Sequence, residues 1–530
     1  MPGSITVFLT MLFLLFFSLI GVAFENVRVL SCEGYLRMSA HSAAMTVFGN
    51  YNRELYEDYG IFAYGGYDGK TVEDLADDVL EILSENIQYA PDNAKISYGN
   101  LYRIKELSIF VDNARVLTEP DVFLGQIEAY LKSNAIEDIT DTLLNQTSKA
   151  SKVNGIQDKL SLTKDYEDGK FEDVKEEGEN TKGTNTNEKT PESNVSVEDT
   201  SGGNPLEVFT DMMRDGVLNL VCNVGTLSDG IVEERDGVAE TKSSTTAVDL
   251  RKEKGAADHL ENMIQGTEKI TKEHWEREKK TPKGIDKVKY ICYGNEQFSC
   301  YTEDKKRTTK YGREYLIAGK RKEKDNLSQV VNQLIGIRLL LNFVSIVADP
   351  SLQQKSLATA TALAGFTGMP PVIYAVQYVI LLILAFEEAC VDVTALLEGR
   401  RVPVIKSVAQ LKMRYEEICL ASKNLFHKKA REYSKEETIT GMDITYEQYL
   451  WIFMLGKTGE MLHNRSLDLI QYDLREKYNQ TFLVQTSICQ SHYIVQYKVP
   501  FLFENIPLLS GQKSGTDMRE MEVKYGYKSR

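Results

Sequence analysis

A chain of 530 residues, 42% of them hydrophobic, is long enough for two or three domains and a sizeable core. Its formal net charge of −15 argues against general binding of nucleic acid or anionic lipid, both of which call for basic surfaces. Seven scattered cysteines with no CxxC pair exclude a zinc ribbon or a thioredoxin-type motif.

Residues Met1 to Phe24 carry no charged side chain, and Ile5–Phe24 supplies the run of about 20 apolar residues that matches the hydrocarbon core of a bilayer. A cleaved secretory signal would want a basic segment ahead of the apolar core, and no Lys or Arg precedes this one. A retained membrane anchor over 1–24 is therefore the preferred reading. From Glu25 to Tyr59 there is no Pro, and Val27, Leu30, Tyr35, Met38, Ala43, Val47, Tyr51 and Leu55 recur at helical spacing. One helix is expected to run out to about Asp58, with Gly60 as its stop.

Gly3-Ser4-Ile5-Thr6-Val7-Phe8-Leu9 resembles the start of the pseudopilin-like proteins of tight-adherence (TadE/TadG-type) pilus systems. There a Gly precedes the cleavage point and an apolar helix follows, which would make Gly3 and Ser4 a processing site. Those proteins usually place a Glu at the fifth position after the Gly, where this chain has Phe8. Over most of its length outside the polar linker, the chain resembles uncharacterised membrane-anchored proteins of Gram-positive bacteria. That likeness is carried by Gly3–Leu9, Tyr51-Asn52-Arg53-Glu54-Leu55, Tyr59-Gly60-Ile61-Phe62 and the block from Glu314 to Lys406. It implies location and architecture, and no established activity.

Residues 25–147 read as the long helix plus a small α+β module. Ile61–Tyr64 is strand-like, Thr71 opens a helix with Val72, Leu75, Val79, Leu80 and Leu83 on its apolar face, strands follow near Ile96–Tyr102 and Lys105–Val111, and Pro120 starts another helix. Residues 148–204 are polar and nearly free of apolar side chains, the composition of a flexible linker.

Residues 205–510 read as a helix-rich α+β domain. Pro205–Cys222 is helical, a polar stretch covers Val232 to Lys283, and Val288–Ile317 reads as strands, in which Cys292 and Cys300 are either a cross-hairpin disulfide or two half-buried thiols. Nine Lys or Arg within Lys305–Lys324, near Tyr311 and Tyr315, suit a solvated face better than a nucleic-acid site in so acidic a chain. A helix follows the cluster Asp325–Ser328. Ser356–Phe386 is free of charge over 31 residues, but Gly365, Gly368 and Pro370-Pro371 break it, so a buried helical hairpin is preferred to a second membrane span. Helices are expected at Ala409–Tyr433 and, from a capping box at Thr445, on to about Tyr478. Phe482–Val484 and Tyr493–Tyr497 read as a hairpin, and 511–530 as a loose tail.

Little chemistry is visible. Gly69-Lys70-Thr71 and Gly456-Lys457-Thr458 lack the earlier glycine of a phosphate loop, the six histidines form no HExxH or HxxxH pair, and His463 reads as a capped or exposed helix residue. No catalytic, cofactor or metal residue is nominated. The expectation is a predominantly helical α+β protein, single-pass in a cell membrane through Ile5–Phe24. Arg28 and Arg37 follow the span, and by charge alone they lean against an extracytoplasmic body; that placement comes from the resemblance. The expected role is a structural or assembly component of a surface, pilus-like or secretion apparatus, with pilus-assembly or other envelope proteins as partners and no enzymatic activity. The alternative is a tethered enzyme or ligand sensor with a non-contiguous site.

Overall fold

The computed structural model describes residues 2–67, 72–87, 104, 106–134, 204–233, 283–436, 443–500 and 518–527. In chain order its elements are α1 (Pro2–Gly49), α2 (Arg53–Tyr59), β1 (Tyr64–Gly65), α3 (Val72–Asn86), β2 (Glu106–Val116), α4 (Pro120–Ser133), α5 (Pro205–Asp215), α6 (Val217–Val221), α7 (Lys283–Gln297), α8 (Gly312–Ala318), α9 (Glu323–Val347), α10 (Pro350–Ala364), α11 (Pro370–Leu397), β3 (Val402–Pro403), α12 (Lys423–Ala430), β4 (Asp443–Ile444), α13 (Tyr446–Leu455), α14 (Gly459–Lys477), β5 (Ser487–Lys498) and β6 (Arg519–Gly526). The fold is predominantly helical α+β with short antiparallel strands. Two compact units divide the chain, 1–136 with 470–530, and 137–469. The expected single domain over 205–510 is thereby corrected: its last strand belongs with the N-terminal residues.

In the first unit β5 is the central strand. It pairs antiparallel with β2 along one edge, and with β1 and β6 along the other. Alternation in β5 turns Ser491, Tyr493, Val495 and Tyr497 inward, and the last three meet one stripe of α1. That stripe is Cys32, Leu36, Ala40, Ala43, Ala44, Val47 and Phe48, at the three-to-four spacing of a helix face. Leu75, Val79 and Leu83 of α3 complete the core.

Here α1 ends at Gly49, short of the expected Asp58. Asn52 re-caps the chain, its side chain accepting from the Leu55 amide and donating to the Gly65 carbonyl. Then α2 closes on Gly60, in the left-handed conformation at φ 68°, as expected of the stop. The paired strand after it is only Tyr64–Gly65. Phe482–Val484 forms no strand, so the expected hairpin is absent; β5 pairs with β2 and β6 instead. Arg519–Gly526 of the expected loose tail is β6, with Met521 and Val523 buried. Thr71, Ile96–Tyr102 and the linker up to Gly203 lie outside the described residues.

In the second unit α11 is the axis, packed by α9, α10 and α12. Its C-terminal half is buried on nearly every face, from Ile383 to Leu397. The strands expected over Val288–Ile317 are the helices α7 and α8. Val288 and Ile291 are buried at helical spacing, and packing against α13 overrides the β-propensity of the Tyr, Val and Ile side chains. Cys292 and Cys300 are free thiols. Gly216, at φ 79°, breaks Pro205–Cys222 into α5 and α6. Helix α9 starts at Glu323, since Asn326 turns its side chain back to the Lys320 amide and carbonyl instead of capping. Ala409–Tyr433 is not one helix: two short 3₁₀ turns, Val408–Gln410 and Tyr415–Leu420, precede the α-helix Lys423–Ala430. The Thr445 capping box does open α13.

Candidate functional site

The apolar half of α1 is exposed along its length, with Phe8 at 67% and Phe17 at 68%. Gly3 and Ser4 lie in its first turn. Protein covers one face of the helix from Glu25 onward, where a buried Glu25–Arg28 pair sits at the border and the Arg28 guanidinium also donates to the Pro500 carbonyl at 2.6 Å. Among the described residues two helices are long and apolar enough to cross a membrane, this one from Ile5 and α9. Over half of the apolar window of α9 is buried inside the protein, as in a core helix. Between Ser356 and Phe386 the structure has two helices and a turn.

The densest cluster of charge is at the centre of the second unit. Asp392 accepts from Arg338 Nε and Asn342 Nδ2, both at 2.9 Å, and on its other oxygen from Lys406 Nζ and the Tyr433 hydroxyl. Glu388 accepts from the Lys412 and Met413 amides and also receives Lys406. Arg338 spends Nη1 on the Pro403 and Val404 carbonyls at 2.9 Å. Two cations and two anions, all with fully buried side chains, thus clamp α9, α11 and the Val402–Lys406 segment together. Burial pushes the Asp392 carboxyl up, but Arg338 and Lys406 outweigh it and hold the group below the usual carboxylate range. With its lone pairs spent on protein donors, the cluster is suited to holding structure and not to proton transfer. Sequence reasoning missed it; the pair Glu388 and Asp392, four apart on an apolar helix, was the available signal.

Two further buried carboxyls, Glu314 and Glu387, are pushed upward by burial. Glu314 accepts from the Tyr301 amide at 2.9 Å and the Tyr446 hydroxyl at 2.7 Å, and burial pushes it up to about 7. Neither oxygen of Glu387 has a hydrogen-bond partner, and burial alone drives this carboxyl far above its ordinary range.

The first unit carries a concavity of about 1040 Å³ lined by His41, Arg115, His492, Lys524 and Tyr527, among others. A bulge between Val111 and Asn113 projects Asp112, whose carboxylate lies 3.0 Å from His492 Nδ1, while Glu522 lies 3.4 Å from Nε2. Arg115 is engaged by Glu119 and Asp121.

Other residues singled out in the sequence prove structural. His463 is buried and bonded to the Tyr290 hydroxyl at 3.1 Å, not exposed. Lys457 is buried at the end of α13, and burial, with a smaller push from Arg465, lowers it to about 8. In the basic stretch Arg307 bonds Gln297, Arg313 bonds the Phe298 and Asn295 carbonyls and Glu303, and Lys310 pairs with Asp304. Gly69-Lys70-Thr71 lies outside the described residues. Among the described residues no three His, Cys, Asp or Glu side chains are placed to hold a metal ion.

No curated protein and no solved structure matches the chain. One family profile does, over residues 195–499, which is more than half of the chain and runs from before α5 through β5. The chain belongs to the family of unknown function DUF5702.

Proposed function

We propose that this protein is a membrane-anchored structural or assembly component of a bacterial surface, pilus-like or secretion apparatus, with its body on the extracytoplasmic side. One observation carries the reading. A single 48-residue helix is bare and apolar over its first half, and over its second half packs a stripe of small and apolar residues onto an antiparallel sheet. Such a helix can sit in a bilayer with one half while the other half serves as the spine of a folded head. Its lone amphipathic stripe starts where the exposed segment ends, at Glu25 and Arg28. The test is the end of the mature protein isolated from its native membrane, together with crosslinking there. A terminus at Ser4 and capture of pilus-assembly proteins support the reading; a terminus near Glu25 and a freely soluble body overturn it.

The concavity beside His41 and His492 favours a second reading, a tethered ligand sensor, because its lining comes from α1, β2, β5 and β6, far apart in sequence. A shift in melting temperature on adding small anionic metabolites, lost in His492→Ala, would support that alternative over the first.

A further inference from the structure

We propose that the α10–α11 hairpin inserts its tip into one leaflet of a lipid bilayer, as a second membrane contact separate from α1. The tip, Gly365–Met369, presents Phe366 at 89% and Met369 at 60% exposure. Behind it Val372, Tyr374, Tyr378, Val379 and Leu382 continue the exposed apolar face along α11. No charge interrupts Ser356–Phe386. The first exposed charges are at the base of the hairpin, where Lys355 pairs with Glu416.

The polar groups of the hairpin point to lipid and not to a protein partner. In hydrocarbon every backbone donor and hydroxyl must be satisfied within the chain. Pro370 and Pro371 open α11, so its first two positions have no N–H to satisfy, and the amides of Val372 and Ile373 both reach the Met369 carbonyl. In the turn, Gly368, left-handed at φ 63°, donates to the Gly365 carbonyl. Thr367 Oγ1 donates to the Ala364 carbonyl and accepts from the Met369 amide. Along the arms Ser356, Thr359 and Thr361 each donate to a carbonyl one turn back, and Gln377 Nε2 donates across to the Gln353 carbonyl. A protein interface of this size would be expected to offer hydrogen bonds outward from its rim. These groups are already engaged within the hairpin.

Length sets the depth. From Ser356 to the turn, α10 gives about 13 Å of charge-free arm, close to half of the roughly 30 Å hydrocarbon core. That reaches into one leaflet and does not span. Tyr374 and Tyr378 are the amphipathic side chains that favour the interfacial layer. With no Lys or Arg in the stretch, insertion is apolar and should not weaken as salt is raised.

The contact is read with a photoactivatable residue at Phe366 in the full chain, reconstituted in phosphatidylcholine vesicles, with the same probe at Phe13 of α1 and at the exposed Glu296. Lipid adducts at 366 that persist in high salt, with none at 296, are expected. Adducts between two copies, or quenching by water alone, at 366 overturn the proposal. Because Phe13 reports on α1 independently, lipid labelling at 13 without labelling at 366 refutes the hairpin contact and leaves the anchor intact. Failure at 13 refutes the anchor alone. As a second arm, the exposed pair Phe366→Glu and Met369→Glu should abolish lipid adducts from a probe at Tyr374 while leaving the melting temperature unchanged; adducts that survive the two carboxylates overturn insertion.

Discussion

Glu314 and Lys406 are two buried ionisable side chains with opposite pairing, and the difference sets what each does to stability. Glu314 has donors from Tyr301 and Tyr446 but one oxygen without a partner, and its folded pKa is raised to about 7. The fold therefore holds a proton that the unfolded chain releases near pH 4.3, and stability falls as pH rises from there through about 7. Glu314→Gln removes this dependence, so the parent should lose about 2 kcal/mol more than the variant between pH 5 and pH 8. Urea melts of both proteins at the two pH values measure it; parallel losses would show that Glu314 is ionised without penalty in the fold. Lys406 instead answers Glu388 and Asp392 together. Lys406→Met leaves one net negative charge buried among apolar side chains, and should cost about 3–5 kcal/mol. Adding Glu388→Gln to that variant should recover part of the loss in the same melts, because the pair's cost is chiefly the uncompensated charge.

At the scale of elements, aromatic packing holds the join between α1 and the sheet. Phe48 is buried at the end of α1, its ring 5.2 Å from both Tyr525 and Tyr527, with the Tyr527 hydroxyl donating to its carbonyl. Phe48→Ala opens a cavity there and should cost about 3–5 kcal/mol, read as a lower melting temperature and faster amide exchange in β6. The sequence made α1 legible through its charge-free run, a local signal, but not through its stripe: Val27, Leu30, Tyr35 and Met38 of the expected face are exposed, and Cys32, Leu36 and Ala40 are buried instead. It also made α3, α4 and α13 legible through an apolar face, a first-turn proline and a capping box. What stayed hidden depends on partners distant in the chain. The strand character of Arg519–Gly526 is invisible without β5 beside it, since its buried face is only Met521 and Val523. Helix α7 looks like a strand because Tyr, Val and Ile favour strands, and only its packing on α13 overrides that preference. Beyond the spacing of Glu388 and Asp392, the partners of the Asp392 cluster were unreadable for the same reason: Arg338, Lys406 and Tyr433 meet it through the fold.

Across the whole molecule, the first unit is assembled from the two ends of the chain. The Tyr59 hydroxyl donates to Asp473, 414 positions later, and the central strand β5 follows all of the second unit. Pairings of such separation come late, because loop closure is unfavourable until the contacts form. The second unit, by contrast, is built within 204–469, largely from neighbouring helices. Folding should therefore run from the middle outward, with α3 and β2 left without a sheet until Ser487–Lys498 is available. Chains ending at residue 480, at residue 510 and at residue 530, held in the same detergent and exposed to brief proteolysis, would show this. Cleavage within 25–134 should be fast in the first chain. It should slow in the second, where β5 pairs with β2, and become slowest once β6 covers the other edge of β5 and buries Met521 and Val523. Protection within 283–436 should be equal in all three. Resistance of 25–134 in the shortest chain would show that α1, α3 and α4 form a core without the strands, and the order of assembly would then follow the order of the sequence.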